Sequence, residues 1–170
     1  MAIARALAAD PDVLVADEPT SMLDVSIRMD VLNLLLSLKK ERRLAILLIT
    51  HDLASARYLA DRVLVLFRGR VVEEGPSDTL VRDPKHPYTR ALLAAIADAA
   101  PFEPKTLVAT QEPAPEPAGT GNETPDTGCP FALRCPEVHD LCRVTDPAPR
   151  RVGDRRVRCH LYPGTPEAGS

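Results

Sequence analysis

Four successive apolar residues, Val13-Leu14-Val15-Ala16, run straight into Asp17-Glu18-Pro19. A strand with apolar side chains on consecutive positions predicts burial on both faces, the habit of parallel sheets. A second such run, Leu44–Ile49, closes on Thr50-His51-Asp52. Between them Val25–Lys40 reads as a helix, with Met29, Leu32, Leu35 and Leu36 at three- and four-residue spacing and Asp24 as its N-cap. A short helix is expected over about Leu53–Ala60. Arg62–Phe67 and Arg70–Glu73 then flank Arg68-Gly69, a two-residue hairpin turn. The alternation of strand and helix predicts an α/β fold, a parallel sheet with flanking helices and an antiparallel finish. Met1–Ala9 reads as a helix stopped by Asp10-Pro11, with no residue before it to cap it, so the chain is expected to open inside an element.

Beyond Gly75 the texture changes. Of 17 prolines, 12 fall in 101–170, so a globular first part gives way to a loop-rich, cysteine-containing C-terminal extension. Ser77–Arg82 predicts one or two helical turns, and Pro87 suits the first turn of a helix to about Asp98. The expected organisation is 1–76 as the sheet-bearing part, 77–100 as a helical extension, 101–128 as a proline-rich linker, and 129–170 as a four-cysteine segment. A net charge of −3 excludes a polybasic nucleic-acid binder. No apolar run approaches the roughly 18 residues of a membrane helix, and no secretory signal is visible at Met1.

Ligands of open α/β sheets bind outside the carboxyl ends of the strands. Asp17 and Glu18 stand at one such end and His51 at the next. Paired carboxylates after a buried run call for an electrostatic partner, most simply a divalent cation. One can hold the metal's water shell while its neighbour faces a reacting water, and an imidazole can donate to a phosphate oxygen. Taken singly, each residue is equally a capping or solvated loop group; their joint order and spacing argue for a metal-assisted phosphoryl site.

These motifs resemble an ABC-transporter ATPase, a P-loop NTPase family. Val13–Pro19 looks like its Walker B strand, Thr20-Ser21-Met22-Leu23-Asp24 its D-loop, Ile49-Thr50-His51-Asp52 its switch histidine, and Ile3–Leu7 the helix after its signature motif. The resemblance implies that Asp17 holds Mg²⁺, that Glu18 is the general base for the water attacking the γ-phosphate of ATP, and that His51 contacts that phosphate. Ser21 and Asp24 would face a second ATP-binding subunit, identical or a sister, across an ATP sandwich. Met22 departs from the family's usual small alanine, a longer side chain at the dimer seam. His86-Pro87-Tyr88-Thr89-Arg90 narrows the resemblance to ATP-binding subunits of oligopeptide, dipeptide and some nickel importers. Such a subunit sits peripherally on the cytoplasmic face of the cell membrane against integral permeases.

The sequence contains no G-x-x-x-x-G-K-[ST] loop, Q-loop or signature motif. Without backbone N–H groups and a lysine to cradle phosphates, this portion alone is not expected to bind or hydrolyse ATP.

All four cysteines come late, as C-x5-C-x6-C-x16-C: Cys129, Cys135, Cys142 and Cys159. Paired C-x-x-C knuckles typical of structural zinc are absent. Four thiolates on proline-stiffened loops suit a [4Fe–4S] cluster, with Arg134, Arg143 and Arg158 nearby to offset charge. The pattern is similar to the cysteine motif of the related transporters, which is associated with such a cluster; zinc and unliganded thiols stay open. His139 and His160 read as surface residues, and Arg150–Arg158 as a solvated charged face. Two other functions compete with an importer ATPase: a non-enzymatic iron–sulfur or metal-binding regulatory module, and a truncated remnant.

Overall fold

The computed structural model describes residues 2–21, 23–99 and 127–163. Met22 and nearly all of the expected 101–128 linker lie outside the described residues. The chain divides into two compact units, one of 1–63 with 75–82 and one of 64–74 with 83–170.

The first unit contains α1 (Ala2–Leu7), β1 (Val13–Asp17), α2 (Val25–Glu41), β2 (Ala45–Ile49), α3 (Leu53–Leu59) and α4 (Ser77–Arg82). Strands β1 and β2 pair in parallel, with Val13 opposite Ala45 and Asp17 opposite Ile49. The α2 periodicity buries Leu32, Leu35 and Leu38, while Met29 falls off that stripe and is exposed. Leu35 and Leu38 pack with Leu14, Leu44 and Leu59, and Ile3 and Leu7 of α1 border the same core. Asp24 occupies the α2 N-cap position as expected, but its side chain makes no capping hydrogen bond.

The expectation that β1 is buried on both faces does not hold. Leu14 and Ala16 are buried, while Val13 and Val15 are 58% and 60% exposed, and Leu47 and Ile49 of β2 are exposed as well. Successive side chains of a strand point to opposite faces. The leucine core covers one face of this two-stranded sheet; among the described residues the other is left open.

The second unit is built on a four-stranded sheet in the order β3–β4–β6–β5: β3 is Arg62–Phe67, β4 Arg70–Pro76, β5 Arg150–Val152 and β6 Arg155–Val157. Arg68 and Gly69 have φ of 48° and 75°, positive at both central positions as a type I′ hairpin requires. Glu73 of β4 pairs antiparallel with Val157 of β6, and the Arg158 N–H donates to the Val72 carbonyl at 2.9 Å. The cysteine segment thus adds two strands to the edge of the hairpin. Helix α5 (Pro87–Ala99) starts at its proline, and a 3₁₀ turn (Ala132–Arg134) and α6 (Asp140–Val144) complete the unit.

Arg150–Arg158 is not a solvated face. Arg155 is 6% exposed, lies 3.5 Å from Glu73 Oε1, and donates to the carbonyl and the carboxylate of Asp83. Glu73 is fully buried and accepts from the N–H groups of Lys85 and His86, both at 2.9 Å. The buried charge is tolerated because both carboxylate oxygens and the guanidinium have partners.

Candidate functional site

The first site forms where β1 and β2 end. The Glu18 N–H donates to the Ile49 carbonyl at 2.8 Å, continuing the strand pairing by one residue. Its φ is then 44°, a conformation non-glycine residues adopt rarely and often at functional sites. The His51 N–H donates to Glu18 Oε1 at 2.9 Å, and His51 Nδ1 lies 2.7 Å from the same oxygen. Two residues 33 apart in sequence therefore converge on one carboxylate oxygen. The His51 hydrogen bond, against a small opposing effect of burial, holds the Glu18 carboxyl below its ordinary range. With Glu18 ionised, Nδ1 carries the shared proton, and the exposed ring offers Nε2 to a ligand.

Asp17 is exposed at the last position of β1, immediately before this pair. The Ser21 hydroxyl donates to the Glu18 carbonyl at 3.0 Å, which fixes the turn after the strand. Asp24 is exposed at the start of α2 and takes no part in these hydrogen bonds. Sequence reasoning missed the anchoring of the histidine loop. Asp52 accepts from the Ala54 N–H at 3.0 Å and the Ser55 hydroxyl at 2.5 Å, and lies 3.6 Å from Arg28. Burial pushes the Asp52 carboxyl up, but these hydrogen bonds and Arg28 outweigh it and hold it low. The signal was available: Asp just before a helix, with a serine three residues on, is an N-capping pattern.

The second site gathers the cysteines. All four are free thiols; Cys129, Cys142 and Cys159 are buried and Cys135 is half-buried. Cys129, Phe131, Ala132 and Cys142 form one small core bordered by Cys135, Val138, Phe67 and Tyr88. The Cys129 N–H donates to the Cys142 carbonyl at 2.8 Å. Burial pushes the Cys159 thiol up to about 11, opposed by a backbone hydrogen bond from Leu161 and reinforced by Cys129, Cys135 and Cys142. Burial likewise raises Cys129, against hydrogen bonds from the Phe131 and Ala132 backbone, and raises Cys135, against one from Glu137.

Four free thiols in one segment match, in type and number, the donors of a four-thiolate centre. Among the described residues, however, no group of three or more His, Cys, Asp or Glu is placed to hold a metal ion. The His139 and His160 rings meet edge-on at 6.0 Å between centroids, and His160 Nε2 lies 2.8 Å from the Thr145 carbonyl.

Strands and helix order describe part of an α/β domain, with the Glu18–His51 pair at its strand ends. Comparison with known proteins agrees. Residues 72–142 match the family described as "Oligopeptide/dipeptide transporter, C-terminal region". The chain is 46% identical over 160 residues to the di/tripeptide transport ATP-binding protein DppF of Pseudomonas aeruginosa, covering 94% of this chain and 48% of that protein. It is 40% identical over 158 residues to the dipeptide transport ATP-binding protein DppD of Haemophilus influenzae, covering 93% and 46%. The chain spans about half the length of the curated relatives it matches. It carries the C-terminal portion of an ABC-transporter ATP-binding subunit of the oligopeptide/dipeptide importer family.

Proposed function

We propose that this chain supplies the water-activating and metal-facing side of an ATP-hydrolysing site that drives peptide import. The observation that carries the reading is the convergence of His51 on the Glu18 carboxylate at the carboxyl ends of two parallel strands. Glu18 would accept the proton of the attacking water, which requires it to release the His51 hydrogen bond as the imidazole turns to the γ-phosphate. Asp17 would hold Mg²⁺, and Ser21 and Asp24 would face a second ATP-binding subunit. Permeases would receive the ATP-driven motion at the cytoplasmic face; among the described residues no helix is long and apolar enough to cross a membrane. Without a phosphate-cradling lysine loop the chain by itself does not turn over ATP.

Two measurements test this. Purified chain shows no magnesium-dependent ATP turnover above that of Glu18→Gln; turnover abolished by that substitution would overturn its inactivity alone. In an assembled transporter bearing this site, Glu18→Gln lowers ATP hydrolysis by roughly 10²-fold or more. An unchanged rate there removes Glu18 as general base.

Cys129, Cys135, Cys142 and Cys159 would together hold a [4Fe–4S] cluster. The number and type of the donors, four free thiols of which three are buried, support this ligand set. Bound there, the cluster would supply structural cross-linking to a segment with little apolar surface of its own. Anaerobic reconstitution gives a brown protein containing iron and sulfide. A colourless product without either refutes the cluster.

A further inference from the structure

Gly128 precedes the first cysteine with φ of 131°, in the region that favours glycine. A Cβ there would stand 2.7 Å from the Arg143 carbonyl oxygen and 2.9 Å from that of Cys142, both backbone atoms. These contacts are closer than real Cβ atoms reach, so any side chain must push the 127–129 loop away from the end of α6. The same approach makes the Cys129 N–H to Cys142 carbonyl hydrogen bond at 2.8 Å. Two of the four thiols are thus held by a backbone contact only glycine permits.

Phe131 fixes the other side of the loop. It is 4% exposed and sits edge-on to Phe67 at 5.3 Å and to Tyr88 at 5.5 Å, with the His86 ring at 6.0 Å. Phe67 and Tyr88 themselves lie 4.7 Å apart. His86 cannot shift freely: its N–H donates to buried Glu73, and its Nδ1 accepts from the Tyr88 N–H at 3.0 Å. The His86-Pro87-Tyr88 segment thereby forms a rigid seat for a ring two residues beyond Cys129, and the 3₁₀ turn from that ring leads to Cys135.

We propose that Gly128 and Phe131 are positioning residues that set the span of the four-thiol centre, and that the His86-Pro87-Tyr88 segment is the internal dock that orients it. The proposal rests on reading the four cysteines as one ligand set. It adds how the fold fixes their separation: one loop is pinned to α6 through a missing side chain, and to α5 through an inserted ring.

The test compares wild type with Gly128→Ala, Phe131→Ala, Phe131→Leu and Gly153→Ala. Gly153 also has a positive φ, 64°, but a Cβ there meets nothing within 4 Å, so it reports backbone strain without steric displacement. Each protein is reconstituted with iron(II) and sulfide under anaerobic conditions, and its metal content, visible spectrum and reduced-state EPR are recorded. In parallel the metal-free proteins react with 5,5′-dithiobis(2-nitrobenzoate), and circular dichroism checks their folding. Gly128→Ala and Phe131→Ala retain iron roughly 10-fold or more weakly, the range for groups that orient ligands, and expose their thiols faster. Phe131→Leu restores much of both, and Gly153→Ala alters neither.

Wild-type iron retention and thiol reactivity in folded Gly128→Ala would overturn the role of Gly128. The same result in Phe131→Ala would overturn the dock. If wild type itself takes up no iron, the ligand reading fails, and thiol reactivity alone decides whether these residues position the cysteines. If Gly128→Ala does not fold, Phe131→Leu against Phe131→Ala decides the dock, and Gly128→Ser, with the same Cβ but a hydroxyl, must also fail while Gly153→Ala folds.

Discussion

The two units handle charge in opposite ways. In the first, the chemically interesting groups are exposed at strand ends, and the sheet beneath them is covered on one face. In the second, Glu73, Arg155 and His86 are buried among polar partners, and three of the four cysteines are buried as well. An exposed, half-covered site is shaped to meet something further, whereas a buried network of paired ions fixes one arrangement of its own segments. The difference sets an exposed pair at strand ends in the first unit against a buried ion network in the second.

The strongest way to break this contrast is Glu73→Ala. It strands the N–H groups of Lys85 and His86 in a buried setting and removes the buried carboxylate from Arg155, which keeps Asp83, and should cost about 3–5 kcal/mol in unfolding measurements. A loss under about 1 kcal/mol, the range of surface ion pairs, would show that the network is solvated and the contrast false.

Within the first unit the two faces of the sheet should respond unequally. Leu35→Ala, at a fully buried position, is expected to destabilise by about 2–5 kcal/mol. Leu47→Ala, at 54% exposure on the open face, should stay within about 0.5 kcal/mol in the same denaturation series. Equal losses would mean the second face is covered after all.

A smaller, pH-dependent effect belongs to the second unit. Burial first, then Arg90, lowers His86 to about 4, with a hydrogen bond to the Arg158 backbone opposing; Glu73 lies against its N–H rather than its ring. The unfolded chain protonates this histidine near 6.5, so between about 6.5 and 4 the unfolded state binds the extra proton. Stability contributed by the neutral ring is complete above pH 6.5 and is lost as pH falls towards 4, by at most about 3 kcal/mol. Urea titrations at pH 7 and 4.5 check the slope, and His86→Asn, which retains an acceptor for the Tyr88 N–H, should flatten it.

Much of the first unit and the opening elements of the second were readable because their signals are local. Apolar runs located β1 and β2, the Arg68-Gly69 turn located the hairpin, and Pro87 marked the start of α5. The grouping of Glu18 with His51 followed from two strand ends in one sheet. Burial on both faces of β1 was misread because an apolar run reports what a strand can bury, not what covers it. The Arg150–Arg158 stretch was misread for a different reason. Its one buried arginine, Arg155, is paired with Asp83 and Glu73, more than 70 residues earlier, and no local pattern announces such partners.

The order of residues alone determined β1 to β4, the helices among them, the acidic pair with its histidine, and the presence of four thiols, since periodicity and spacing are written along the chain. Only folding in three dimensions decided which face of the sheet stays open, which arginine is buried, and how a glycine and a phenylalanine seat the cysteines. Those outcomes depend on packing and hydrogen bonds between distant segments, whose free energies exist only once the segments meet.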